Sequence, residues 1–178
     1  MSNALSGKGP SAITLPDLSE LSGGFASYND SNTETNKIDI QPGIWTNITC
    51  DGLKIGTNID QLPASVTRLW DVSTNEIKVN ELDNSNYIII RLQFRITPSV
   101  NDATVSVRVF WTGLPGFTFQ LTRRSGNLNE GAGTEYELSE QIILYIGDDD
   151  SRLGAGKIQI KSDSTAEVEI DTVFIGVN

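Results

Sequence analysis

The sequence predicts an all-β protein, a jelly-roll-like β-sandwich of about nine strands preceded by an extended N-terminal arm. From Ile38 onward, apolar and polar residues alternate with a period of two, which is typical of strands that have one buried face. Gly, Pro, Asn and Asp separate these short runs, and no segment shows the 3.6-residue period of a helix of normal length. This pattern favours a two-sheet sandwich, with a closed barrel as the alternative.

Residues 1–35 differ from the rest and are predicted to form a docking arm. They are rich in Ser, Gly, Asn and Asp, and their apolar residues would cover one or two helical turns. Such a segment cannot repay its ordering entropy alone, so we expect it to become ordered against a partner. The candidate docking residues of the arm are Leu15, Leu18, Leu21 and Phe25.

Residues 36–178 are predicted to form the sandwich. The clearest strand covers residues 87–96, where Ile88, Ile90 and their even-numbered successors face inward and polar residues face outward. In the next strand Trp111 has the inward parity, so we expect it in the core. The predicted strands cover residues 37–40, 45–50, 76–79, 87–96, 103–111, 117–121, 136–146, 157–161 and 166–177.

The last predicted strand is apolar on both faces in its second half. Glu167, Glu169 and Asp171 alternate with apolar residues in the first half. The same parity then continues as Val173, Ile175 and Val177. A strand that is apolar on both faces is either central in the stack or covered by another chain. These three residues are therefore the candidate subunit interface.

Composition excludes several classes of function. The chain of 178 residues has no histidine, which rules out Ser-His-Asp, Cys-His and His-metal chemistry. Its net charge of −10 argues against nucleic-acid binding. No apolar run is long enough to span a membrane, and the first residues do not form a secretory signal. We expect a chain made in a host cytoplasm, without catalytic residues, a cofactor or a metal.

Two groups of acidic residues are candidate sites. Asp148, Asp149 and Asp150 could supply oxygen ligands for calcium, but they lack EF-hand spacing, and a solvated loop is the favoured interpretation. Glu167 and Glu169 would lie about 7 Å apart on one strand face, a separation found in inverting glycosidases. The wet side of a sheet explains the pair more simply.

Two tryptophans, Trp45 and Trp70, are candidates for the rim of a ligand site. Each follows turn residues and precedes polar ones. Aromatic platforms on a β-sandwich can stack against sugar rings, so a lectin-like, carbohydrate-binding module is the rival hypothesis. Packing in the core or between chains is the favoured role for both.

Several short stretches resemble a domain of tailed-bacteriophage virion surface proteins. They are residues 45–49 (WTNIT), 51–53 (DGL), 62–63 (LP), 66–71 (VTRLWD) and 160–163 (IKSD). The resemblance implies a non-enzymatic, homotrimeric jelly roll at the virion surface, either a head decoration or cement protein, a head fibre, or a fibre tip. Its implied partners are the major capsid protein or other virion proteins.

The chain lacks the repeats that build long fibre shafts. It has no collagen-like Gly-X-Y tract and no heptad coiled coil. We therefore expect a short part that its arm fixes to the capsid. The alternative is a receptor-binding tail-fibre tip that contacts a host surface glycan.

Overall fold

The structure is a computed structural model that describes residues 23–113 and 118–178. Its elements in chain order are β1 (Gly24–Asn29), β2 (Ile38–Ile40), β3 (Thr46–Asn47), β4 (Trp70–Asp71), β5 (Glu76–Lys78), β6 (Asn86–Pro98), β7 (Ala103–Thr112), β8 (Thr118–Leu128), β9 (Tyr136–Ile146), α1 (Asp149–Arg152), β10 (Ala155–Ser162) and β11 (Ala166–Val177). The predicted all-β class is confirmed. The arm residues Leu15, Leu18 and Leu21 lie outside the described residues, as does Phe117.

The strands form two antiparallel sheets, so the architecture is a sandwich rather than a closed barrel. The first sheet has the order β1-β11-β6-β9, with β2 also paired to β11. The second sheet has the order β4-β5-β10-β7-β8, with β3 also paired to β10. The two edge strands β8 and β9 lie on the same side of the sandwich and contact each other. A groove runs between them, here called the β8–β9 groove, and its lining includes Leu121, Ile142 and Ile143.

The inward faces of the two sheets build one core. Ile88, Ile90, Leu92, Phe94 and Ile96 of β6 are at most 2% exposed, as their parity predicts. Each such side chain stabilises the fold by about 1.5–3 kcal/mol through burial. Trp111 is also fully buried, and its indole N–H donates to the Ser151 carbonyl at 3.1 Å. The core position predicted for Trp111 is confirmed.

Strand β1 lies inside the stretch that the sequence assigned to the arm. It pairs with β11 along its whole length, and Ala26 and Tyr28 are buried in the core. The sandwich therefore starts at β1 rather than at residue 36. Only two apolar side chains point inward from this strand, which is too few for a period of two to stand out in the sequence.

The outer edge of β1 is already occupied by the chain itself. Backbone N–H groups of Phe25 and Ser27 donate to the carbonyls of Gln61 and Asn58, each at 2.8 Å. Asn58 N–H donates back to the Ser27 carbonyl at 2.8 Å. At Gly24 a Cβ would lie 2.4 Å from the Gln61 carbonyl oxygen, so this close approach requires glycine.

A β-bulge interrupts β11 between Ile170 and Thr172. The extra residue shifts the parity, so that Ile170 faces inward before the bulge and Val173 faces inward after it. Val173 and Ile175 are fully buried and Val177 is 7% exposed, all within the core of the same chain. This burial contradicts their predicted role as a subunit interface. The strand is apolar on both parities because its single inward face changes parity at the bulge.

Candidate interaction surfaces

An exposed apolar surface lies on the outer face of the first sheet, where four strands run side by side. The register aligns Phe25, Gly176, Ile89 and Ile143 in one row across β1, β11, β6 and β9. Tyr87 and Tyr145 are paired two residues along from Ile89 and Ile143. We call this surface the apolar patch, and its side chains are Phe25, Tyr87, Ile89, Ile143, Tyr145 and Phe174.

Aromatic contacts order the patch without burying it. The Phe25 and Phe174 rings stack with centroids 5.6 Å apart, and the Tyr87 and Tyr145 rings lie 4.9 Å apart. Tyr87, Ile143 and Tyr145 nevertheless remain about half exposed, at 51%, 53% and 51%. A contiguous apolar surface of this kind on a monomer is typical of an interaction site.

At the other end of the same sheet face, charged side chains form ion pairs with one another. Arg95 Nη2 lies 2.7 Å from Asp171 Oδ1 and also forms an ion pair with the buried Glu169. The hydrogen bond to Asp171 raises the pKa of Arg95. Glu167 lies 3.9 Å from the Lys37 ammonium. Glu167 and Glu169 therefore take part in ion pairs on the sheet, Glu167 on its solvent-exposed surface and Glu169 buried beneath Arg95.

The second candidate surface lies around Trp45, on the outer face of the second sheet. Trp45 directly precedes β3, which pairs with β10 so that Thr46 lies opposite Ile160. The Trp45 side chain is half-buried under two cations. The Arg108 guanidinium carbon is 4.2 Å from its ring centroid, and the Lys161 ammonium nitrogen is 4.7 Å from it. We call these three residues the Trp45 cluster.

Trp70 is only 1% exposed and forms part of the core. Its indole N–H donates to the Cys50 carbonyl at 3.1 Å, and its backbone N–H donates to the Tyr28 hydroxyl at 3.2 Å. This burial supports the favoured interpretation of Trp70 as a packing residue and contradicts its candidate role at a ligand rim. β4 is too short to show a periodicity that would have revealed its inward position.

The acidic run after β9 caps the short helix α1. The Asp148 carboxylate accepts the Ser151 N–H at 2.8 Å, completing a capping box with the Ser151 side chain. The hydrogen bond from the Ser151 hydroxyl lowers the pKa of Asp148. Among residues 23–113 and 118–178, no group of three or more acidic or cysteine side chains is arranged to hold a metal ion. Over the same ranges, no helix is long and apolar enough to cross a membrane.

The structure brings together only part of the predicted site. Phe25, predicted as a docking residue, lies in the apolar patch. Most of the patch was missed: Tyr87, Ile89, Ile143, Tyr145 and Phe174 were not predicted as site residues. The available signal was the runs YIII at 87–90 and IILYI at 142–146, which are apolar on both parities.

Comparison with known proteins shows a shared fold and no family. No protein-family profile matches the chain, and no curated protein matches it. A structure of the infectious bursal disease virus Gt strain is similar to 98% of this chain, with a TM-score of 0.50 and 11% identity. The alignment covers 37% of the viral chain, so this chain spans little more than a third of that length.

Two other solved structures are also similar to this chain. The VP2 subviral particle of infectious bursal disease virus aligns with a TM-score of 0.48 and 10% identity, over 98% of this chain and 37% of that one. Eiger TNF from S. frugiperda aligns with a TM-score of 0.47 and 11% identity, over 86% of this chain and 89% of that one. The structural neighbours thus include viral capsid proteins and a TNF-like protein. What is shown is the jelly-roll-like fold.

Proposed function

We propose that this chain is a structural, non-enzymatic virion protein of a tailed phage, which decorates or stabilises the capsid as a decoration protein, cement protein or head fibre. The observation that carries the proposal is the apolar patch. Its exposed aromatic and aliphatic side chains span all four strands of the row, in a chain whose net charge is −10. Such a charge keeps copies apart except where a dedicated apolar contact overcomes it.

The proposed assembly is a homotrimer that forms through the patch. A closed ring of three copies uses two different surfaces of each copy. The chain offers two adjacent ones, the apolar patch and the β8–β9 groove, which meet at Ile143. In the proposed ring, the patch of one copy packs against the groove of the next. Leu121, which is 41% exposed in the groove, would become buried there.

The arm is proposed as the attachment to the particle. The described chain begins at Gly23, next to β1 and beside the patch. Leu15, Leu18 and Leu21 are proposed to dock on the major capsid protein or another virion protein. An arm that becomes ordered only on binding meets its entropy cost at assembly.

Measurement of solution mass tests the trimer. In sedimentation equilibrium at micromolar concentration, the full chain should give a mass about three times its own 19.4 kDa. Ile143→Glu places a charge in the proposed contact and should yield monomers, because burying an unpaired carboxylate is strongly unfavourable. Ser139→Glu is the matched control, since it adds the same charge on the same face of β9 outside the patch.

The results separate the proposal from its alternatives. Ile143→Glu must retain the β-sheet circular dichroism spectrum of the wild type, so that a loss of mass reports on assembly. A wild-type chain that stays monomeric would refute the trimer. Deletion of residues 1–22 should preserve the trimer and abolish binding to phage particles. Full particle binding by the truncated chain would refute the role of the arm.

A second candidate function is supported by the Trp45 cluster. A half-buried aromatic residue with two cations over its ring is suited to ligand recognition rather than to capsid packing. A receptor-binding tail-fibre tip, or a lectin-like module, would use such a surface against a host glycan.

A further inference from the structure

The Trp45 cluster concentrates positive charge on an acidic protein. Arg108 on β7 and Lys161 on β10 both face outward, and their strands are directly paired. Both cations lie over the ring of Trp45, at 4.2 and 4.7 Å from its centroid. The ring attracts each cation through its π face and so holds two like charges near each other.

Neither of these two cations has an ion-pair partner in the part of the chain that the structure describes. Lys157 lies on the same face of β10 but has a partner, Glu76, at 3.7 Å. The nearby Asp163 carboxylate instead accepts the Thr104 backbone N–H at 2.8 Å. The cluster is thus an uncompensated cationic spot.

Neutral amides fix the Arg108 side chain in place. Its Nε–H donates to Gln159 Oε1 at 2.7 Å, and its Nη1 donates to Gln120 Oε1. Gln159 Nε2 in turn donates to Asn47 Oδ1 at 2.7 Å. Burial lowers the pKa of the Arg108 guanidinium. The Nη2 group has no partner among the described residues, so it remains available to a bound anion.

Hydroxyl groups lie on one side of the cationic spot, beside Lys161. A shallow pocket there is lined by Gly43, Thr104, Ser106 and Ser162, and also by the Asp163 carboxylate, which accepts the Thr104 backbone N–H. Ser106 lies directly opposite Lys161 in the β7–β10 register. The two cations, the amides bonded around Arg108 and the hydroxyls of the pocket beside Lys161 match a ligand that carries both an acidic group and several hydroxyls.

We propose that the Trp45 cluster binds an acidic saccharide, with its carboxylate or sulfate held by Arg108 and Lys161. The hydroxyl groups of the saccharide contact Ser106 and the side-chain amide of Asn47. The cations already cover the Trp45 ring, so the tryptophan positions them and does not serve as a platform for a neutral sugar. Two cations are too few for a nucleic-acid backbone on a chain of net charge −10. This inference rests on the second candidate function, recognition of a host glycan, and does not depend on the proposed decoration role.

Isothermal titration calorimetry on the full chain tests this site. The probes are sialyllactose for a carboxylate, a heparin-derived tetrasaccharide for a sulfate, lactose as the neutral sugar, and inorganic sulfate. At low salt, at least one acidic saccharide should bind and lactose should not. Binding should weaken as salt screens the exposed cations. The acidic probe that binds identifies the anionic group.

Matched variants locate the binding. Lys161→Gln should lower the affinity for the acidic saccharide about tenfold, the usual effect of losing one charge-assisted contact. Lys157→Gln removes a paired lysine from the same strand face and should leave the affinity within about twofold. Lys161→Arg should restore most of the binding, which separates charge from folding defects.

The proposal would be overturned by the absence of binding heat with either acidic saccharide at about 10 mM, by equal binding of lactose, or by an unchanged affinity in Lys161→Gln. Inorganic sulfate binding as tightly as the saccharides would also overturn it, because the hydroxyl contacts would then contribute nothing. The readout is ligand binding, so it is distinct from the sedimentation test of the trimer.

Discussion

The bulge in β11 depends on one buried hydroxyl, that of Thr33. This hydroxyl accepts the Ile170 backbone N–H at 2.8 Å, where the bulge interrupts pairing with β6. It also donates to the Asp30 carboxylate at 2.6 Å. Thr33 and Asp30 are both fully buried. Thr33 therefore supplies a partner for the backbone at the point where the parity of β11 changes.

Thr33→Val removes these contacts while keeping the side-chain shape. The Ile170 N–H would lose its partner in the core, which costs about 1–3 kcal/mol. Asp30 would lose one donor to its carboxylate and keep those from the backbone N–H groups of Thr33 and Asp51, each at 2.7 Å. We expect the free energy of unfolding to fall by about 2.5–6 kcal/mol in total, because a hydrogen bond to a charged group contributes about 1.5–3 kcal/mol.

Urea unfolding followed by tryptophan fluorescence measures this loss. A domain of this size should also melt about 5–24 °C lower. Thr35→Val is the matched control, because the Thr35 hydroxyl is exposed and donates only to the Asn32 carbonyl at 3.3 Å. The control should change the free energy of unfolding by less than about 0.5 kcal/mol. If Thr33→Val were as mild as the control, the hydroxyl would not support the bulge.

Other single contacts have equally definite expected outcomes. Burial raises the pKa of the Cys50 thiol to about 12, so a thiol reagent at about pH 8 should label it only in unfolded protein; rapid labelling of the native chain would contradict its burial. The Tyr28 hydroxyl accepts two buried backbone N–H groups, at 3.1 and 3.2 Å. We expect Tyr28→Phe to lower the free energy of unfolding in urea by about 2–4 kcal/mol, and an unchanged value would show that those groups find other partners. The hydrogen bond from the Ser73 hydroxyl lowers the pKa of Asp71 below its ordinary 3.8. Because the folded pKa is the lower one, this carboxylate stabilises the fold above about pH 4, and that contribution is lost as pH falls through the folded pKa. Thermal melts across acidic pH should fall less steeply for Asp71→Asn than for the wild type, and parallel curves would argue against the contribution.

The sequence was sufficient to predict the fold class because long strands show their parity directly. Residues 87–96 and 103–111 alternate without interruption, and both strands lie as predicted. The error at Val173, Ile175 and Val177 has a specific cause. A bulge adds one residue to a strand, and its main determinants here are contacts with residues 30–33, distant in sequence.

The apolar patch was harder to predict than the core because it depends on strand pairing. Ile89 and Ile143 become neighbours only through the β6–β9 register, and Gly176 separates Ile89 from Phe25 only because β11 lies between β1 and β6. Local periodicity carries no information about such pairings. The Trp45 cluster likewise depends on β3 and β7 both pairing with β10, so Arg108 could not be connected with Trp45 from the sequence.

The covered edge of β1 limits how these molecules can join. Hydrogen bonds from residues 58–61 occupy the backbone groups that would otherwise recruit another strand. Copies at high local concentration therefore cannot add to this edge and extend the first sheet into a continuous ribbon. Such edge-to-edge extension is how exposed edge strands lead to fibrils. This self-capping favours assemblies of finite size over open-ended growth.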